Sequence, residues 1–196
     1  MAEITLGPIS FEKVVEAVEA VQRRLFRATE ALEQAAIPYA VIGGNAVAVW
    51  VARVDPSAVR NTQDVDIMIR RADLEAATAA LEKAGFFRRR IMGIEMFMDG
   101  PRGRPRDAVH VLFAGEKVRQ EYTAPAPEIT EVEQGPKFRL LNLEALVRMK
   151  LTSYRDKDKT HLRDMCEVGL VDAAWPARLP TELASRLQLI LDKPEG

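Results

Sequence analysis

The sequence predicts an α/β (α+β) protein, with a sheet domain of strands and helices over residues 1–141 and a helical part over 142–196. Three observations carry this. Short apolar runs such as Tyr39-Ala40-Val41-Ile42 and Ala108-Val109-His110-Val111-Leu112-Phe113 have the length and β-branched content of strands. They alternate with longer segments whose apolar residues recur every three or four positions, the helical period. From Asn142 onward only the helical period remains.

Taken in order, Ser10 stands where it can cap a helix over residues 11–35, with Phe11, Val14, Val15, Val18, Val21, Leu25 and Leu32 as one apolar stripe. Ile37-Pro38 breaks that helix before the strand Tyr39–Ile42. Gly43-Gly44 then makes a turn into a helix over 45–54, with Val47 and Trp50 packed on the sheet. A second strand covers 64–70, and an Ala-rich helix over 73–83 is closed by Gly85. Residues 86–91 and 94–98 form a strand pair, 99–106 a Gly/Pro loop, and 108–113 a third strong strand. Residues 129–134 and 137–141 read as a hairpin turning at Gly135-Pro136. Helices follow over 143–154, 159–168 and 181–191, with a loop over 176–180.

Composition narrows the function classes. With 47% hydrophobic and 29% charged residues, the chain reads as an ordinary soluble globular protein. A formal net charge of -1 gives no whole-molecule field toward nucleic acid or membrane. Cys166 is alone, which excludes an internal disulfide and fits a reducing, cytoplasmic setting. The opening Met1-Ala2-Glu3-Ile4-Thr5 lacks the basic and apolar regions of a signal peptide, and no apolar run reaches membrane-spanning length.

The chemistry concentrates in Arg60-Asn61-Thr62-Gln63-Asp64-Val65-Asp66. On a strand, residues i and i+2 share a face, which places the Asp64 and Asp66 carboxylates side by side, roughly 7 Å apart along the backbone. Paired carboxylates suit Mg²⁺, which takes hard oxygen ligands from a few acids and from substrate phosphates. Upstream, a strand followed by Gly43-Gly44 and a helix can cradle phosphate, because the backbone N–H groups approach closely and the helix N-terminus favours negative charge. Each pattern alone also fits a plain tight turn or a solvated strand end.

In this order, the motifs resemble the nucleotidyltransferase superfamily, whose fold is shared with DNA polymerase β. The spacing Arg60-x-Thr62-x-Asp64-Val65-Asp66 is similar to the AbiEii-type branch, known from toxin–antitoxin and phage-defence systems. Lys150, Arg155, Lys157 and Asp158 fall on that branch's second element, a helical Lys-x-x-x-x-Arg followed by Lys-Asp-x-x-Asp-Leu. The resemblance implies a nucleotidyltransferase-like mixed sheet and an NTP substrate. It implies Mg²⁺ or Mn²⁺ held by Asp64 and Asp66 with Lys150 as a further catalytic residue, and a third catalytic group at the place of His110. Gly43, Gly44, Asn45, Thr62, Lys157 and Asp158 would bind the nucleotide. The acceptor would be an RNA, a protein or a small molecule, and a cognate antitoxin would be a partner.

The chain departs from the pattern twice. The third family carboxylate lies on a neighbouring strand, where this chain has His110. Asp107 lies an odd number of residues away and so faces the other side of a regular strand. Three readings of His110 stand: a general base, a mark of weakened catalysis, or a structural histidine. Glu95, on the preceding strand, is a further acid near this region. The second departure is His161, where the family has its later Asp; it reads as a surface histidine paired with Asp158 or Asp164. Elsewhere, residues 88–106 carry six arginines against Glu95 and Asp99, a local charge of +4. That cluster suits either RNA or triphosphate contact, or a solvated surface. The leading expectation is metal-dependent nucleotidyl transfer. The alternative is a nucleotide-binding protein, catalytically weakened, acting as a sensor or partner module. A pure scaffold is disfavoured by the intact acid pair.

Overall fold

A computed structural model describes residues 10–193. The opening segment Met1 to Thr5 lies outside them. The first helix, α1 (Glu12–Gln34), forms where expected, but Ser10 does not cap it. The Ser10 hydroxyl donates to the Glu12 carboxylate at 2.7 Å instead. The apolar stripe is buried only from Val21 onward, and Phe11, Val14 and Val15 stay exposed. Periodicity reports which residues share a face, not what covers that face.

The remaining helices are α2 (Gly43–Ala52), α3 (Leu74–Lys83), α4 (Leu143–Ser153), α5 (Asp156–Glu167) and α6 (Thr181–Asp192). The strands are β1 (Tyr39–Ile42), β2 (Val65–Ile69), β3 (Phe86–Ile91), β4 (Ile94–Asp99), β5 (Ala108–Phe113), β6 (Val132–Gln134) and β7 (Arg139–Leu141). They form one seven-stranded sheet in the order β3-β4-β5-β2-β1-β7-β6. The β2–β5 and β1–β7 pairs are parallel and the others antiparallel, so the sheet is mixed as expected.

Register positions the chemistry. In the parallel β2–β5 pair Asp66 stands opposite His110, and in β1–β2 Ile42 stands opposite Asp66. Every residue of β1 is buried. A strand covered on both faces needs helices on both. The helices accordingly fall into two groups, α1 with α3, and α2 with α4, α5 and α6. Each fully buried Val, Ile or Leu stabilises this core by roughly 1.5–3 kcal/mol relative to exposure. The Trp50 indole N–H donates to the Leu141 carbonyl at 3.1 Å, tying α2 to the end of β7.

The hairpin strands β6 and β7 are shorter than the expected 129–134 and 137–141, and two differences bear on the site. No separate turn precedes α2, which begins at Gly43 itself. A full turn earlier than expected, α5 begins at Asp156, so Lys157 and Asp158 lie in its first turn. Asp156 and Asp158 favour that start by complementing the helix dipole, and the Asp158 carboxylate accepts from the Arg155 backbone N–H at 3.3 Å. Tyr154, with φ of 46°, makes the corner between α4 and α5. Among the described residues, no helix is long and apolar enough to cross a membrane.

Candidate active site

A cavity of about 400 Å³ opens over the end of β2 and β5, and Gly43, Asp64, Asp66, His110, Lys150 and Lys157 all line it. Six residues separated by up to 114 positions meet there because β2 and β5 pair in register and because α4 and α5 pack against α2.

Gly43 has a φ of +67°, in the left-handed region that glycine alone enters at no cost. A Cβ built at this position would stand 2.1 Å from Asp66 Oδ2, so the backbone lies directly against the carboxylate. A Cβ on Gly44 would meet Thr62 at 2.8 Å. The two glycines thus bring the N-terminus of α2 onto the acid-bearing strand. Asn45 and Thr62 hold that junction: the Asn45 amide donates to the Asp64 carbonyl at 2.7 Å, and Thr62 Oγ1 accepts from the Asp64 N–H at 3.4 Å. Both are set to orient Asp64 rather than to reach far into the cavity.

Each acid has one oxygen engaged. Lys157 Nζ donates to Asp64 Oδ2 at 2.9 Å, and His110 Nδ1 lies 3.3 Å from Asp66 Oδ1. Among the described residues, Asp64 Oδ1 and Asp66 Oδ2 have no hydrogen-bond partner. Two free carboxylate oxygens beside a glycine backbone fit one hard divalent cation that takes its remaining ligands from water and phosphate. No third acid joins them: among the described residues, no cluster of three His, Cys, Asp or Glu side chains is placed to hold a metal. Asp107 accepts from Arg104 Nε at 2.8 Å. Glu95 pairs with Val111, on the face opposite His110, and accepts from Arg88 Nε at 3.0 Å. Neither acid replaces the carboxylate that His110 displaces.

His110 has an acceptor at each ring nitrogen, because Nε2 lies 3.2 Å from the Pro105 carbonyl and Nδ1 faces Asp66. A carbonyl and a carboxylate both need a proton from the ring, and only imidazolium supplies two. The hydrogen bond to Asp66 raises the His110 pKa above its ordinary value against the opposing effect of burial. In this arrangement both ring nitrogens of His110 are engaged, one by Asp66 and one by the Pro105 carbonyl.

Lys150 and Asp158 form a buried pair. Lys150 is 4% exposed and Asp158 0%. Lys150 Nζ donates to Asp158 Oδ1 at 3.0 Å, while Ser153 Oγ and Arg155 Nε donate to Oδ2 at 2.8 Å each. Burial alone would raise the Asp158 pKa, but the hydrogen bond from Arg155, the charge of Lys150 and the Ser153 hydroxyl hold it at about 2. Burial lowers the Lys150 pKa, with Asp158 opposing it. Asp158 was expected to contact nucleotide. Its enclosure leaves it no path to a ligand, and it instead clamps Lys150 and Arg155 at the cavity wall.

His161 differs from expectation. Its Nδ1 is buried without a hydrogen-bond partner, and neither carboxylate pairs with it. Asp158 is taken up by Lys150 and Arg155, and Asp164 accepts from Arg60 Nε at 2.7 Å. Burial, then the positive charge of Lys150, pushes His161 down to about 4. Of the six arginines in 88–106, Arg88 pairs with Glu75 and Glu95, Arg90 with Glu95 and Arg104 with Asp107, while Arg89, Arg102 and Arg106 form no salt bridge among the described residues.

The sequence reading passed over Ser153 and Tyr122, which also line the cavity. Ser153 carries no pattern of its own, and Tyr122 lies in an irregular stretch that no period describes.

No protein-family model and no curated protein sequence matches this chain. Solved structures do. A nucleotidyltransferase-like antigenic protein from Paracoccidioides brasiliensis superposes with a TM-score of 0.59 at 22% identity, covering 90% of each chain. The antibiotic-resistance factor ANT(2'')-Ia superposes with a TM-score of 0.51 at 13% identity, covering 94% of each. With its mixed seven-stranded sheet between two helix groups, the chain has the nucleotidyltransferase-like fold.

Proposed function

We propose that this protein transfers a nucleoside monophosphate from an NTP to an acceptor, with Asp64 and Asp66 holding Mg²⁺ or Mn²⁺. The observation that carries the reading is Gly43 pressed against Asp66, with Asp64 and Lys157 beside it in one cavity. A bound divalent cation would neutralise phosphate charge and polarise the reacting phosphorus. The chain's own residues do the rest by position and charge. Asp64 Oδ1 and Asp66 Oδ2 are the oxygens that would hold the cation. The N–H groups opening α2, at Gly43, Gly44 and Asn45, would receive the phosphates at a helix N-terminus. Lys157 is half-exposed and can exchange its Asp64 contact for a phosphate oxygen. Lys150, fixed by Asp158, supplies a steady positive field in the wall.

The finer assignments belong to the same proposal. Arg60, Thr62, Asp64 and Asp66, with Lys150, Arg155, Lys157 and Asp158, support the AbiEii-type branch. A cytoplasmic, toxin–antitoxin-like role with a cognate antitoxin goes with that branch, and the acceptor would be an RNA, a protein or a small molecule. Division near residue 141 gives a working separation of labour, in which the sheet part supplies the acids and the helical part the lysines.

A second reading is a nucleotide-binding protein with little or no turnover. His110 favours it, since it stands in register with Asp66 where a third acid is expected. The test incubates the protein with α-labelled NTPs, Mg²⁺ or Mn²⁺, and RNA, protein and aminoglycoside acceptors. Asp64→Ala and Asp66→Ala should each lower label transfer by on the order of a hundredfold or more. Undiminished transfer by Asp64→Ala would remove the metal assignment. NTP binding by calorimetry without any transfer would select the second reading.

A further inference from the structure

Residues 114–131 connect β5 to β6 without regular structure. Two backbone hydrogen bonds close the neck of this segment: Gly115 N–H donates to the Ala126 carbonyl at 3.2 Å, and Ala126 N–H donates to the Glu116 carbonyl at 2.8 Å. Ala126 is buried beneath them. The segment is therefore a compact loop anchored at its base, of the kind that often carries function. Val118, Tyr122 and Pro125 turn toward the cavity, and Met96, Leu112 and Met149 line it too. The cavity thus has Asp64, Asp66 and Lys157 at one end and an amphipathic wall under the loop, where these apolar side chains stand beside Arg71, Glu116, Lys117 and Arg119.

Two aromatic rings line this cavity, Phe113 and Tyr122. Phe113 is already covered, because the Arg71 guanidinium lies 3.7 Å from its ring centroid and is held there by Glu116, which accepts from Arg71 Nε at 2.6 Å. Among the described residues, no cation and no second ring covers Tyr122. Arg155, at the start of α5, lines the same cavity as Tyr122. The ring sits on the loop side of the cavity.

We infer that Tyr122 is the platform on which the nucleobase of the NTP stacks, an inference that rests on the nucleotide-transfer reading above. An NTP is itself two-ended: its triphosphate needs cations and helix N–H groups, and its base needs a flat, partly apolar surface. The cavity offers both ends, and its volume suits a ligand of this size. Stacking reads the π-face that every base has, so this platform tolerates all four bases and leaves fine discrimination to other groups.

The test titrates the wild-type protein, Tyr122→Ala and Tyr122→Phe with each of the four common NTPs and with inorganic tripolyphosphate, in Mg²⁺, by calorimetry. Tyr122→Ala should weaken NTP binding about tenfold or more. Tyr122→Phe, which keeps the ring, should bind as the wild type does. Tripolyphosphate, which has no base, should bind all three proteins equally. Unchanged NTP affinity in Tyr122→Ala overturns the inference, as does an equal loss for NTP and tripolyphosphate. Loss in Tyr122→Phe overturns it as well, by assigning the effect to the hydroxyl. If the wild type binds neither probe, the nucleotide reading falls and takes this inference with it, an outcome distinct from the other three.

Discussion

At the scale of single residues, the site is defined by what presses on Asp66. Gly43 backs one oxygen and His110 holds the other. His110 lies between two acceptors, the Asp66 carboxylate and the Pro105 carbonyl, which sets it apart from the carboxylate expected in that register. Replacing it tests the point directly. His110→Asp places a third carboxylate opposite Asp66, and metal affinity rises with the charge of the ligand set. Mn²⁺ binding, followed by calorimetry, should tighten by roughly tenfold or more. A parallel gain in label transfer would identify the parent as a weakened enzyme. Unchanged Mn²⁺ affinity would show that this register position is not a third ligand site.

At the scale of elements, the corner between α4 and α5 is an electrostatic joint. Lys150 on α4 and Arg155 at the start of α5 both bond to Asp158, which is fully enclosed. Breaking such a pair leaves a buried charge uncompensated, which is costly. The joint also predicts acid sensitivity. The carboxyl titrates at about 2 in the folded protein against an ordinary value of 3.8. Its folded pKa is depressed, so its contribution of about 2 kcal/mol is present above the ordinary value and is lost as pH falls through about 2. Urea unfolding at stepped pH should show this loss between about pH 4 and pH 2. Asp158→Asn should be less stable at neutral pH and should lack that part of the acid slope. An acid slope identical to the wild type would show that another carboxyl carries it.

At the scale of the molecule, the acids and the lysines come from different parts of the chain and meet through one continuous core. Leu187 on α6 and Val65 on β2 belong to the same buried cluster. The two tryptophans report on either side of residue 141, with Trp50 on α2 and Trp175 in a short turn before α6. In a Trp175→Phe background, Trp50 fluorescence alone follows the sheet part. Leu187→Ala should then lower the unfolding midpoint seen by Trp50, at a cost of about 2–5 kcal/mol. A Trp50 midpoint that does not move would mean the helical part unfolds independently, and that Lys150 and Lys157 are held by a separable unit.

The sequence by itself determined the α/β class, each of the seven strands and the identity of the acid-bearing strand. Those features are local: a period of two or of 3.6, a Gly-Gly step, and two acids at i and i+2 can all be read along the chain. Some local signals misled, because a side chain's best partner is settled by competition. Ser10 bonded a neighbouring carboxylate in place of an amide, and the α1 stripe ran past the surface available to bury it. Only the tertiary structure decided which oxygens of Asp64 and Asp66 remain open, that Asp158 clamps Lys150, and that His161 is buried without a partner. It also brought Tyr122 from an irregular loop to the cavity. Lys150 and Asp158 are only 8 positions apart, across the α4–α5 corner, but the contacts to Asp66 and Asp64 join residues 44 and 93 positions apart, fixed by strand register and helix packing. No pattern within one segment encodes them.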